Sequence, residues 1–313
     1  MNRRIFAAGA LLCALAPSLA AAQQVELKFK FNETPQRRVS TTRFDQKLSI
    51  TGMDIPTSVN LTESTLVTTR PRGDSGDIGV TVKVEGIRAH FELPGNTVAD
   101  FDSAKPDTKT GNPALDMGFE TLRALSASEY SYDVNKDHKV VSVKGLDSVI
   151  AKLPAASQEE IKKELSAETL SREWSEQLRS LPSGPVKKGD SWTRTEVLSI
   201  GGGQTLTFET SYEFEGEVEK DGKKLLRVRI FQSGVKYALV DNPNNPVKVT
   251  ASDLKIDSST GHYLFDPVSG SITERQFTAR ISGSLGLSVN GMELPAKLEL
   301  TVESGMVKAP TKP

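Results

Sequence analysis

Leu285-Gly286-Leu287-Ser288-Val289-Asn290-Gly291-Met292-Glu293-Leu294-Pro295-Ala296-Lys297-Leu298-Glu299-Leu300-Thr301-Val302 reads as two strands folded back on a tight turn. Apolar side chains recur at every second position on both sides of Asn290, the period that buries one face of a strand. Asn290-Gly291 supplies two residues that tolerate positive φ, as both central positions of a type I′ turn require. A β-hairpin is therefore predicted here, and the fold class follows from how often the same pattern returns.

It returns along most of the chain. Gly79 to Val84, Thr205 to Glu209, Leu225 to Phe231, Val247 to Ile256 and Phe277 to Ile281 all alternate, and Asp221-Gly222 is a second turn of the same kind. Val25-Glu26-Leu27-Lys28-Phe29-Lys30-Phe31 puts Val, Leu and two Phe on one face, and a half-buried strand is expected there as well. One region keeps a different period. Ser157 and Glu160 match a capping box, and Ile161, Leu165, Leu170, Trp174 and Leu178 follow at helical spacing until Pro182, which predicts an amphipathic helix lying on a sheet. Shorter helices are expected over Ala114 to Leu125 and Leu146 to Leu153, with loops over Ser103 to Pro113 and Asp241 to Pro246.

The two halves on either side of the helical region resemble each other in order. Leu48 to Gly52 is echoed by Leu198 to Gly202, Leu61 to Ser64 by Leu206 to Glu209, and Gly79 to Gly86 by Lys224 to Gly234. Ser131 to Asp137 is echoed by Leu264 to Gly270. This order predicts a duplicated antiparallel meander, each copy too open to cover its own apolar face. The copies could continue one curved sheet or pack as two domains.

The chain starts Met1-Asn2-Arg3-Arg4, runs through an apolar stretch from Ile5 to Leu19 and reaches Ala20-Ala21-Ala22-Gln23. That is the order of a cleavable secretory signal peptide, with cleavage after Ala20 or, preferred, after Ala22. The apolar run is shorter than the ~20 residues a spanning helix needs. Cys13, the single cysteine, lies inside it after Leu11-Leu12, which does not match a lipoprotein cleavage site. Cleavage would leave a mature chain with no thiol, so disulfides, thiolate metal sites and cysteine nucleophiles are excluded from it. The formal net charge of −1 offers no electrostatic case for nucleic acid or an anionic membrane surface. No other segment has transmembrane length, and the mature chain is expected to be soluble.

The motifs that could carry chemistry fail on their own terms. Asp133-Val134-Asn135-Lys136-Asp137 starts like a calcium loop, but His138 stands where the sharp turn needs Gly and Lys144 where a bidentate Glu should be. Asp133, Asn135 and Asp137 are read as a polar β-turn. His90, His138 and His262 are far apart and show no shared-face spacing. Ser252-Asp253-Leu254-Lys255 matches S-x-x-K but alternates like a strand, whereas that chemistry needs a helix start. No catalytic, cofactor-binding or metal residues are nominated, and no cofactor is expected. Trp174 is assigned to the core face of the helix, and Trp192 to a strand at a domain start.

Leu181-Pro182-Ser183-Gly184-Pro185-Val186-Lys187-Lys188-Gly189-Asp190-Ser191-Trp192 and Tyr263-Leu264-Phe265-Asp266 resemble stretches of an uncharacterised secreted bacterial family of unknown function, of planctomycete and bacteroidete type. The resemblance implies a β architecture and an envelope location, and it brings no catalytic residues. The expectation is thus a mainly β protein: a curved sheet or half-barrel with one long and one or two short helices between its halves. Residues 1–22 form the signal, 23–145 the first half, 146–182 the helical insert and 183–313 the second half. The expected function is a non-enzymatic, periplasmic or secreted binding protein for an apolar, lipid-like molecule or another envelope component. A structural or protein-interaction module is the alternative, and a hydrolase with an acidic pair the third.

Overall fold

The structure, a computed structural model, describes residues 24–309 apart from 32, 73–76, 107–108, 138, 202 and 240–246. The signal-peptide segment, His138 and the Asp241 to Pro246 loop lie outside the described residues. The first half contains β1 (Gln36–Ile50), β2 (Met53–Arg72), β3 (Asp77–Leu93), β4 (Thr97–Asp102), α1 (Pro113–Ser126), β5 (Glu129–Val134) and β6 (Val140–Lys144). Then come α2 (Leu146–Ile150), α3 (Ala155–Glu164) and α4 (Ala167–Arg179). The second half contains β7 (Ser191–Gly201), β8 (Gln204–Lys220), β9 (Lys223–Leu239), β10 (Val247–Asp266), β11 (Ser271–Val289) and β12 (Met292–Ala309).

All twelve strands belong to one antiparallel sheet, in the order β6-β5-β3-β2-β1-β12-β11-β10-β9-β8-β7, with β4 added beside β3. The two halves therefore continue one sheet, joined where β1 pairs with β12 from Arg37↔Ala309 to Ile50↔Ala296. The four echoed segments fall at the ends of β1 and β7, on β2 and β8, on β3 and β9, and at the β5–β6 and β10–β11 hairpins, although β1 is central in the sheet and β7 is at its edge. The Asn290-Gly291 turn forms as expected, with φ of 50° and 83° and Val289 opposite Met292.

One face of this sheet is apolar and curls inward. Arg275 on β11 reaches Glu196 on β7, and Phe208 on β8 meets Phe277 on β11 edge to face with ring centroids 6.4 Å apart. Strands several places apart in the order can touch only if the sheet is strongly rolled. The second half is filled by its own side chains, with Leu206, Phe208, Ile281, Leu298 and Val302 nearly inaccessible. The first half is covered by helices: α1 lays Leu115 and Phe119 over β3 and β4, while Leu170 of α4 packs on Val80, Val134 and Val140.

Three local expectations are corrected. The single long helix is two helices, α3 and α4, broken at Leu165-Ser166, because Ser166 accepts from Thr169 N and starts a new helix. Ser157 and Glu160 form no capping box. Pro154 holds the N-cap position of α3, and Ser157 lies inside the helix, sharing a hydrogen bond with Thr121. The Val25 to Phe31 segment is extended, but among the described residues it joins no strand ladder; it makes an isolated bridge, Val25 to Val186, and a backbone hydrogen bond from Lys30 N to Gly270. Its alternation has another use. Leu27 and Phe29 insert into the cluster around Tyr212, Val228, Tyr263 and Phe265, while Glu26, Lys28 and Lys30 face solvent.

Candidate functional site

The sheet is not closed by strand pairing, and α4 occupies the space between its two edges. Val140 N of β6 donates to Ser171 Oγ of α4 at 2.8 Å. On the other side, Arg194 Nε of β7 donates to the Arg179 carbonyl at 2.9 Å. Beyond the helix, the Ser180 carbonyl accepts from Trp192 Nε1 and Tyr263 OH, each at 3.2 Å. One edge N–H, that of Val140, is thus engaged by the helix, while β7 meets it through the Arg194 side chain.

Beneath α4 lies a cavity of about 130 Å³. Trp174, Gln177 and Leu178, at i, i+3 and i+4, form its roof. Its floor is the inward face of the sheet. Gln36 opposes Val67, Val67 opposes Val82, and Arg38 and Tyr132 complete the wall. Phe29 and Phe31 close one side, with Phe31 stacked on Trp174 at 6.4 Å and Phe29 set edge-on to Phe265 at 6.3 Å. No carboxylate lines the cavity among the described residues. The hollow on the outer side of α4 is larger, about 420 Å³, but it is an open surface depression edged by Lys139, Glu168, Arg172 and Arg179.

The cavity lining holds donors but no carboxylate among the described residues. Trp174 Nε1 is buried with no hydrogen-bond partner among the described residues. Arg38 is half-buried, and burial lowers its pKa, with only the Tyr132 hydroxyl acting in the opposite direction. Burial in turn pushes the Tyr132 phenol up to about 12, so it stays protonated.

A second polar group sits deeper in the roll. Arg275 Nη2 donates to both carboxylate oxygens of Glu196, at 3.0 and 3.1 Å, Thr210 Oγ1 donates at 3.0 Å, and the Tyr212 hydroxyl donates as well. Burial works against the ionised Glu196, but these partners outweigh it and hold the carboxyl below its ordinary value. Every acceptor in this group is occupied, so it reads as an internal tie between β7, β8 and β11.

The residues weighed from sequence are not assembled into a centre. Asp133 Oδ2 accepts from Ser142 and Lys144, and Arg72 lies 2.8 Å from Oδ1. Ser142, Lys144 and Arg72 keep its carboxyl below the ordinary value, and cations already fill the place a calcium ion would take. Asn135 Oδ1 closes the turn by accepting from Asp137 N and Lys139 N. His90 lies beside Asp100 and Glu92 on β3, and His262 beside Glu274 and Gln276 on β10, each alone. Ser252 to Lys255 lies on β10, a strand as expected. No group of metal-ligating side chains occurs among the described residues. Arg38 and Lys308 were not anticipated. The signal was the parity of Arg38 with Phe44 and Leu48 on one strand, but the polar residues of β1 hide which face is inward.

No helix among the described residues is long and apolar enough to cross a membrane. No curated protein matches the chain. Among solved structures, one described as showing lipid–protein interactions in lipovitellin is similar at TM-score 0.39 and 11% identity, over 91% of this chain and 26% of that one. DynF from Micromonospora chersina gives TM-score 0.22 and 10% identity over 98% and 95% of the two chains. OpdQ from Pseudomonas aeruginosa gives 0.23 and 8% over 89% and 100%. The chain thus spans about a quarter of the lipovitellin chain (26%), and at these TM-scores none of the three carries an argument. An uncharacterised family was expected, and the Leu181 to Trp192 stretch lies inside the matched segment while Tyr263 to Asp266 lies outside it: residues 75–223 match the model of a family of unknown function (DUF6263).

Proposed function

We propose that the chain is an exported, non-enzymatic binding protein of the cell envelope that holds an apolar group of a small ligand beneath α4. The observation that carries this reading is the cavity walled by Phe29, Phe31, Trp174, Val67 and Val82. Its volume of about 130 Å³ is close to the ~150 Å³ of engineered apolar cavities that take up benzene, so the enclosed part suits a ring or a short acyl segment. A longer chain would run out along the groove. The absence of carboxylates from the lining speaks against the acidic-pair hydrolase, and the contacts of α4 with Val140 on β6 and Arg194 on β7 leave less room there for strand addition by a partner. Export is part of the proposal and rests on the order of charges, apolar run and small residues in Met1 to Gln23.

Native mass spectrometry of the chain purified from its own envelope fraction tests the reading. A co-purifying small molecule of defined mass, lost on substituting Trp174→Ala, is the expected result. Ligand-free protein in repeated preparations, with a protein partner in its place, would overturn it. The same spectra give the mass of the mature N-terminus, expected to begin at Gln23.

A further inference from the structure

Arg38 on β1 stands directly across from Lys308 on β12, both on the inward face. Like charges placed opposite each other on neighbouring strands repel, and neither is exposed enough for water to screen the pair fully. Burial lowers the pKa of both side chains, and the nearby Arg38 and Lys223 push that of Lys308 further down. Asp266 acts on Lys308 from the β10–β11 turn, while no carboxylate acts on Arg38. Glu63, the nearest inward acid on β2, opposes Ser40, one inward position further along the strand. Lys308 Nζ donates to Ser271 Oγ at 3.4 Å, and Ser271 is part of the cavity wall beside Arg38. Trp174 Nε1 adds a buried donor with no hydrogen-bond partner among the described residues. Arg38 and Trp174 therefore line a space shared by Phe29, Phe31, Val67 and Val82 with the uncharged polar side chains of Gln36, Thr69, Gln177 and Ser271, and Lys308 stands behind Ser271. A buried charge left this way is costly unless something of opposite sign joins it.

We infer that the ligand of the cavity is an amphipathic carboxylate, its anionic head held by Arg38, Lys308 and Trp174 Nε1 and its apolar body lying against Phe29, Val67 and Val82. The inference rests on the binding reading above and adds the class of ligand. A guanidinium and a carboxylate meet with charge-assisted hydrogen bonds, and in a partly dry site such a pair discriminates an acid from the matching alcohol.

The test is calorimetric titration of the full chain with octanoate, octanol and octylamine, comparing the unmodified protein with Arg38→Met and Arg38→Lys. Octanoate is expected to bind at least about tenfold more tightly than octanol, which corresponds to one good charge-assisted contact. Arg38→Met should bring the ratio of octanoate to octanol affinity down to about one, and Arg38→Lys should keep most of the preference. Without ligand, Arg38→Met should melt no lower than the unmodified chain, because it removes a repelled charge. Equal binding of octanoate and octanol, or a preference that survives Arg38→Met, would overturn the carboxylate assignment and leave apolar binding intact. Binding of none of the three would remove the binding reading itself. A lower melting temperature for ligand-free Arg38→Met would show that Arg38 serves the fold, and would overturn the assignment.

Discussion

Glu196 accepts from Arg275, Thr210 and Tyr212 at once, so its removal leaves a buried guanidinium and two hydroxyls without their acceptor. Glu196→Ala is expected to cost about 3–5 kcal/mol in denaturant unfolding, the range for breaking a buried pair from one side. The pH dependence has a definite sign. The folded carboxyl titrates below the 4.5 of the free side chain, so its contribution is complete above that value and is lost as acid passes through the folded one. Glu63 has the opposite sign. Burial raises its pKa, so the folded chain holds that proton more tightly, and stability falls as pH rises from 4.5 through the raised value. Glu63→Gln should therefore melt higher than the unmodified chain at neutral pH and alike below pH 4.5. Equal melting temperatures at both would contradict this. Neither residue could be singled out from sequence, since Glu196 and Glu63 each sit in a strand among several carboxylates and only the roll of the sheet brings Arg275 to one and not the other.

At the scale of elements, α4 is the helix that decides what the sheet encloses. Ser171 supplies the acceptor for the β6 edge, and Ser166 caps the helix start. Each hydroxyl is worth about 1 kcal/mol by the usual figures for a buried backbone donor and an N-cap. Ser171→Ala should also raise amide exchange at Val140 specifically, whereas Ser166→Ala should loosen the first turn of α4 and leave Val140 protected. The apolar stripe of this helix was readable, because Leu170, Trp174 and Leu178 keep strict i, i+4 spacing. Its break from α3 was not. Ser157-x-x-Glu160 is a sound local start signal, and the chain begins the helix earlier, at Ala155, because Pro154 already sets a conformation that precedes a helix.

For the molecule as a whole, the hairpins and their alternation gave away an antiparallel meander. What alternation cannot express is closure: the pairing of β1 with β12 joins strands more than two hundred residues apart, and no local pattern marks it. The same limit explains the Val25 to Phe31 segment, whose alternating side chains plug the core without joining the sheet. Lys30 N donates to the Gly270 carbonyl at 2.9 Å, and a Cβ on Gly270 would lie 2.6 Å from Lys30 N at a φ of +60°. Gly270→Ala should dislodge this segment, lower stability by about 1–3 kcal/mol and weaken any ligand held beside Phe29. The central claim is that a ligand sits under α4, and the chain has two tryptophans to report on it: Trp174 in the cavity roof, and Trp192 stacked on Tyr212 at 5.5 Å in the core. Fluorine NMR of protein labelled with fluorotryptophan, titrated with octanoate, should move the Trp174 resonance and leave that of Trp192 in place; a shift confined to Trp192, or none in either, would contradict it.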